Sequence, residues 1–258
     1  MKKLLLGIAA VCLAGFTFAQ DAPLWMRHSV ISPDGTTIAF TYKGDIYTVP
    51  VAGGRAMQIT TNPAYDTAPV WSPDSKRIAF ASDRMGSLDV YIVAKDGGEP
   101  RRLTTHSGSE TPLAFTDAGH VLFSAGIMPS AEAVVFPSNG QFNQVYRVSV
   151  EGGRPTMISS MPMECISINK EGAMLYQDKK GYEDYWRKHH VSPIARDIWM
   201  YTPGKEPQYR QLTTFGGEDR EPVWAPDGKT FYYLSEENGS FNIYRRTPGD
   251  AKACLLYT

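Results

Sequence analysis

The stretch Val70–Phe80, Val-Trp-Ser-Pro-Asp-Ser-Lys-Arg-Ile-Ala-Phe, returns in recognisable form along almost the whole chain. No other feature narrows the possible folds as much, because a repeat of fixed period builds its core from stacked copies of one small unit. Within the unit, Pro69-Val70-Trp71 reads as an apolar strand, Ser72-Pro73-Asp74-Ser75 as a tight turn and Lys76 to Ser82 as a second strand. Proline presets φ at about −65° for the second turn position, and serine and aspartate side chains bond the turn's own amides. Asp34 and Asp74 hold the same turn position 40 residues apart. A period of about 40 with four short strands per copy is the signature of a β-propeller blade. The expected fold is all-β, with four-stranded antiparallel blades.

The copies delimit blades of about 27–61, 67–105, 109–160, 162–214 and 218–253. The first two are clean, from Ser32-Pro33-Asp34-Gly35 to Gln58-Ile59-Thr60 and from Ser72-Pro73-Asp74 to Arg102-Leu103-Thr104. In the third, Phe115-Thr116-Asp117-Ala118-Gly119 replaces the turn, and an insertion of about 126–140 delays the strand Gln144–Val148. The fourth carries a longer insertion, about 178–196, before Asp197-Ile198-Trp199-Met200-Tyr201. The fifth, with Pro222-Val223-Trp224-Ala225-Pro226-Asp227-Gly228, is expected to stop incomplete at Ala253. Residues 254–258, Cys254-Leu255-Leu256-Tyr257-Thr258, depart from the repeat and look like the translation of a sequencing adapter. Trp71 and Trp224 fall at equivalent places, where packing between blades fits a large aromatic better than ligand contact. The Asp34, Asp74 and Asp227 series is turn chemistry, spread over separate blades.

Met1-Lys2-Lys3, the apolar run Leu4–Gly15 and the small residues before Ala19 predict a signal peptide, residues 1–19, and an exported, periplasmic protein. The run is shorter than the roughly 20 apolar residues of a membrane span, so no membrane span is expected. A net charge of −1 gives no basic face for nucleic acid. Of three cysteines, Cys12 leaves with the signal, and Cys165, in the apolar run Met163–Ile168, predicts a buried free thiol.

The chain holds no Gly-x-Ser-x-Gly elbow, His-Glu-x-x-His helix, phosphate loop or dinucleotide fingerprint, so no catalytic residue, cofactor or metal ligand is assigned. His189 and His190 adjoin, but neighbouring strand residues point to opposite faces. The segment Gly181–Trp199 mixes aromatic and basic residues that a plain blade does not need. Tyr185, Trp186, Arg187, His189, His190 and Arg196 are the candidate peptide or domain contacts, through stacking and carboxylate pairing. A surface loop whose aromatics pack beneath it is the competing reading.

Tyr182-Glu183-Asp184-Tyr185-Trp186-Arg187-Lys188-His189-His190, followed by Arg196-Asp197-Ile198-Trp199, resembles the N-terminal propeller of tricorn-type serine proteases. Pro23-Leu24-Trp25-Met26-Arg27 and Phe40-Thr41-Tyr42-Lys43-Gly44-Asp45-Ile46-Tyr47 are similar to the same family. The resemblance implies a six-bladed ring, of which about five blades are visible, that admits or gates peptides for PDZ-like and protease domains later in the same chain. Its implied partners are peptides or unfolded polypeptide and those missing C-terminal domains, with self-association into a homo-oligomer. The leader departs from the archaeal prototype, which works in the cytosol. Two other propellers carry similar repeats, the partner-recruiting type of the Tol envelope system and that of prolyl-oligopeptidase-like hydrolases. The first needs a separate α/β domain before its propeller, whereas here the repeats begin almost directly after the leader.

Overall fold

A computed structural model describes residues 25–126, 143–180 and 191–257. The signal peptide reading and most of the third-blade insertion lie outside the described residues. Five sheets of four strands follow one another along the chain. The first blade is β1 (Arg27–Ile31), β2 (Thr37–Tyr42), β3 (Asp45–Pro50) and β4 (Met57–Gln58); the second is β5 (Asp66–Trp71), β6 (Arg77–Ser82), β7 (Asp89–Ala94) and β8 (Arg101–Arg102). The third is β9 (Glu110–Asp117), β10 (His120–Ala125), β11 (Gln144–Ser149) and β12 (Thr156–Ser159), and the fourth β13 (Met163–Ile168), β14 (Met174–Asp178), β15 (Ile198–Thr202) and β16 (Gln208–Gln211). The fifth is β17 (Asp219–Trp224), β18 (Phe231–Ser235), β19 (Asn242–Arg246) and β20 (Cys254–Tyr257). Every pairing is antiparallel, with strands in sequence order across each sheet.

Turn chemistry drives the first hairpin of each unit as the residues predict. Asp34 Oδ1 accepts from the Ser32 hydroxyl at 2.5 Å and the Thr36 amide at 3.0 Å. Asp74 repeats this with Ser72 at 2.5 Å and Lys76 at 3.2 Å, and Asp227 takes the amides of Lys229 and Thr230 at 2.8 and 2.9 Å. These bonds, to Ser32 and Thr36 in the first case, hold the Asp34 carboxyl below its ordinary range. The residue after the aspartate turns left-handed in each copy, at φ 72° for Gly35, 57° for Ser75 and 66° for Gly228, a conformation in which glycine has no steric cost.

Packing between blades makes the core. First strands of successive blades lie against one another, β1 on β5, β5 on β9, β9 on β13 and β13 on β17, so they stand nearest the axis. Across each junction, alternation along strands sends one side-chain set to each neighbour. Ala39 and Ile46 of the first blade meet Ile78, Phe80, Tyr91 and Val93 of the second, whose Ala79, Val90 and Ile92 meet Val121, Phe123 and Tyr146 of the third. Leu122 and Val145 meet Met174 and Tyr176, then Leu175 and Ile198 meet Phe231, Tyr233 and Tyr244. One stacked cross-strand pair recurs, Phe40–Tyr47, Phe80–Tyr91, Phe123–Tyr146 and Tyr233–Tyr244, at centroid separations of 5.7 to 6.0 Å. Such pairs contribute about 0.5–1.5 kcal/mol each beyond area burial.

No hydrophobic cluster of the described residues joins the fifth blade to the first. Val223 and Ile243 on the fifth blade's far face stay 53% and 40% exposed. Five blades are thus shown, and the sixth that the resemblance implies is not. The fifth blade itself differs from the sequence reading: instead of stopping at Ala253, it is completed by β20, with Tyr244 opposite Leu255 and Arg245 opposite Cys254. An edge strand is held by main-chain hydrogen bonds that any sequence free of proline supplies, and here Leu255 also adds to the apolar junction.

Both predicted tryptophans are packing residues. Trp71 is 8% exposed within the first junction and donates its indole N–H to Val30 O at 3.2 Å. Trp224 packs on the fourth junction and donates to Ala173 O at 3.1 Å. Trp71→Ala is expected to lower stability by about 3–5 kcal/mol in urea unfolding. A loss below roughly 1 kcal/mol would be that of a surface position and would remove Trp71 from the core.

Candidate functional site

In an antiparallel blade the start of the first strand, the end of the second and the start of the third meet at one rim. Both long insertions open on that rim. The chain leaves the third blade after Ala125 and returns at Gln144, and leaves the fourth after Asp178 and returns at Ile198. Adjacent blades therefore present both departures from the repeat at the same rim. Tyr185, Trp186, Arg187, His189 and His190 fall within residues 181–190, outside the described residues; of the six candidates, Arg196 is described.

Arg196 sits on the returning leg and is 8% exposed. Its Nη1 lies 3.3 Å from Glu218 Oε1, just before the fifth blade, and its Nε 3.6 Å from Glu164 Oε2 on β13. Arg220 Nε donates to the other Glu218 oxygen at 2.9 Å. On the outgoing leg Lys180 donates to Ala195 O at 2.7 Å and pairs with the Asp197 carboxylate. Asp178 accepts from the Asp197 amide at 2.9 Å and from the Trp199 indole at 3.1 Å. The insertion is thus clamped at both ends, and the Arg196 charge is spent on joining the fourth and fifth blades.

Inward of this rim, four axial strands carry the same distortion. The ladders of β1, β5, β13 and β17 shift register between Arg27 and Val30, Thr67 and Val70, Glu164 and Ser167, and Arg220 and Val223. Each β-bulge holds a non-glycine residue in the left-handed region: His28 at φ 50°, Ala68 at 51°, Cys165 at 52° and Glu221 at 53°. That conformation costs on the order of 1 kcal/mol or more for such residues. The bulge overturns the expectation of a buried Cys165: it breaks the in–out alternation and leaves Cys165 exposed while Ile166 stays buried. The surrounding protein, then the Glu221 and Glu164 carboxylates, push the thiol pKa up to about 12. A thiol held protonated is a poor nucleophile. His28, its pKa lowered by burial and Arg27, shares a 3.1 Å hydrogen bond with the Thr67 hydroxyl. Among the described residues no three His, Cys, Asp or Glu side chains group as metal ligands would.

A second device at this rim escaped the sequence reading. Thr60, Thr104 and Thr213 each accept, at Oγ1, the amide of a residue 14 or 15 positions earlier: Ile46 at 3.0 Å, Val90 at 2.8 Å and Ile198 at 2.8 Å. Thr60 donates onward to Asp45 at 3.2 Å and Thr104 to Glu110 of the next blade at 3.1 Å. Its signal was present, since each Leu-Thr or Ile-Thr follows an Asp-Ile/Val-aromatic triplet, with the threonine 15 or 16 residues after the aspartate.

Glu110 and Asp89, both fully buried, face each other across the second junction. Arg102 Nη2 reaches Asp89 at 2.8 Å and His106 Nδ1 lies 3.5 Å from Glu110. Burial raises the Glu110 pKa to about 7, against the Thr104 hydroxyl and with the Asp89 charge adding to it. With the folded value above the ordinary 4.5, the Glu110 contribution to stability is complete below that value and is lost as pH rises through about 7. Burial acts in the same sense on Asp219, raised to about 6. The thermal midpoint is expected to fall between pH 5 and pH 8, and Glu110→Gln to flatten that fall in a melting series; an unchanged slope would dismiss Glu110 as its source.

The chain matches the family described as the tricorn protease N-terminal beta propeller domain over residues 23–254. It is 25% identical over 224 residues to tricorn protease homolog 1 of Streptomyces coelicolor, covering 86% of this chain and 20% of that one. The chain spans between a fifth and a third of the length of the curated relatives it matches. Among solved structures, the tricorn protease superposes with a TM-score of 0.71 at 18% identity, over 92% of this chain and 23% of that one. The putative TolB of Agrobacterium tumefaciens superposes at 0.70 with 15% identity, over 92% and 82%. These two likenesses concern the fold, and the match across almost every described residue identifies the family: the chain belongs to the tricorn protease N-terminal β-propellers.

Proposed function

We propose that this chain is the substrate-handling propeller of an exported tricorn-type serine peptidase, admitting or gating peptides and unfolded polypeptide for a catalytic domain elsewhere in the same protein. The observation that carries this reading is the family match over residues 23–254 set beside its 20% coverage of the Streptomyces homologue. A propeller of this family is a minor part of such a relative. The rim supports a gating role through its two insertions on adjacent blades, opening beside an axial wall with an exposed Cys165 and Glu221. Catalysis is assigned to PDZ-like and protease domains beyond these residues, and none to the propeller.

A purely binding propeller of the Tol type is the second reading, favoured by 82% coverage of the putative TolB chain. Genomic sequence past codon 253 separates them. The peptidase reading expects a PDZ-like region and a serine peptidase domain in frame; a stop codon soon after a sixth blade would sink it.

Export rests on the charged and apolar leader before Gln20. Expressed with its leader in a bacterial host, the chain is expected in the periplasmic fraction with Gln20 as its first residue by intact-mass measurement. Retention in the cytosol with an uncut leader would refute export.

A further inference from the structure

The second blade holds a guanidinium of its own. Arg84, two residues past Ser82, places Nη2 3.1 and 3.0 Å from the two oxygens of Asp66 and donates from Nε to Ser82 Oγ at 2.8 Å. Its guanidinium carbon lies 5.6 Å from the Phe80 ring centroid and 4.5 Å from that of Tyr91. Carboxylate fork, hydroxyl and stacked aromatic pair together form a complete arginine site.

The fifth blade repeats the surroundings without the arginine. Asp219 stands opposite Ser235 as Asp66 stands opposite Ser82, and Tyr233 opposite Tyr244 as Phe80 opposite Tyr91. The two ring pairs match, at 5.7 Å and 29° against 6.0 Å and 27°. In the fourth blade the residue two past Asp178 is again a cation, Lys180, paired with Asp178 and Asp197. In the fifth it is Glu237, a carboxylate.

Where the side chain of Arg84 would have its counterpart, the fifth blade has a cavity of about 570 Å³ lined by Asp219, Tyr233, Ser235 and Glu237, with Arg246 and Lys252 also on its wall. Asp219 is 1% exposed, yet its Oδ1 has no hydrogen-bond partner, and neither has the buried Tyr244 hydroxyl. A buried carboxylate oxygen left unpaired is costly. Arg246 does not relieve it, because its guanidinium bonds the carbonyls of Leu212 and Asp250, and the register places it opposite Phe231, at the other end of β18 from Ser235.

We propose that this cavity is a binding site for the guanidinium of an arginine side chain from outside the blade, held between Asp219 and Glu237 over the Tyr233–Tyr244 pair. A guanidinium suits it better than an ammonium, since a planar fork can engage a carboxylate side-on while stacking on a ring. The site rests on the likeness between two blades of one chain and is independent of any peptide-gating role. The guanidinium can come from a polypeptide or from free arginine, which share this chemistry.

Calorimetric titration of the full chain with acetyl-Gly-Arg-Gly-amide, its citrulline counterpart and free L-arginine tests the assignment. The arginine peptide is expected to bind at least roughly tenfold more tightly than the citrulline peptide, which keeps the shape and lacks the charge. Free arginine binding as tightly as the peptide identifies a small-molecule ligand, and a preference for the peptide identifies a chain; either supports the site. Glu237→Arg installs the second blade's own solution, and should abolish peptide binding without lowering the thermal midpoint. Asp219→Asn should weaken binding by roughly tenfold or more. Equal binding of the citrulline peptide, no binding at about 10 mM peptide, or unchanged binding by a folded Glu237→Arg protein would overturn the proposal.

Discussion

Every other feature of this protein depends on the burial of sheet faces between neighbours. A four-stranded sheet that is apolar on both sides has no stable existence alone, and the second, third and fourth blades here are each covered by the one before and the one after, while the first and fifth share one junction each among the described residues. The two faces are not equivalent. The face toward the preceding blade carries the aromatic pair, and the face toward the following blade carries smaller aliphatic side chains such as Ala79, Val90 and Ile92. Large meets small at each junction, which lets sheets approach closely without voids. The direction of the chain around the axis is written into that asymmetry.

Because the faces are consumed by packing, strand ends are where polar groups can differ from blade to blade. Asp66, Glu110 and Asp219 hold equivalent positions at the start of β5, β9 and β17, yet meet three different fates. Asp66 has the Arg84 guanidinium, Glu110 shares its site with Asp89, and Asp219 keeps an oxygen without a partner. The backbone is repeated while the electrostatics are not. Function in such a fold is sought in these unequal ends, since the shared architecture explains only why they lie side by side.

The architecture was legible because its determinants are local and repeated. Asp34, Asp74 and Asp227 bond their own turns, and Trp71 and Trp224 fill junctions, so each is interpretable within a few residues of sequence. Cys165 was misjudged because a β-bulge changes which way a side chain points without altering the apolar composition around it. The outer strand Cys254–Tyr257 was missed for a related reason, as an edge needs main-chain partners and not the repeat's residue types. The threonine latches were visible as a spacing but not as a bond, and the cavity beside Asp219 could be recognised only once register aligned Glu237 with Arg84. Of the candidate contacts, Arg196 is the one described, and its pairing with Glu218 at the fourth junction is a contact that composition alone does not reveal.

The two insertions share one topological address, the link from second to third strand, clamped in the fourth blade by Lys180 and Asp197 at its base. Doubling such a loop costs only about 0.6 kcal/mol in closure entropy, far less than the removal of one junction aromatic. The mouth of this propeller can therefore acquire or discard whole recognition segments while the blades stay as they are, making it the place where relatives of one architecture can diverge in what they hold.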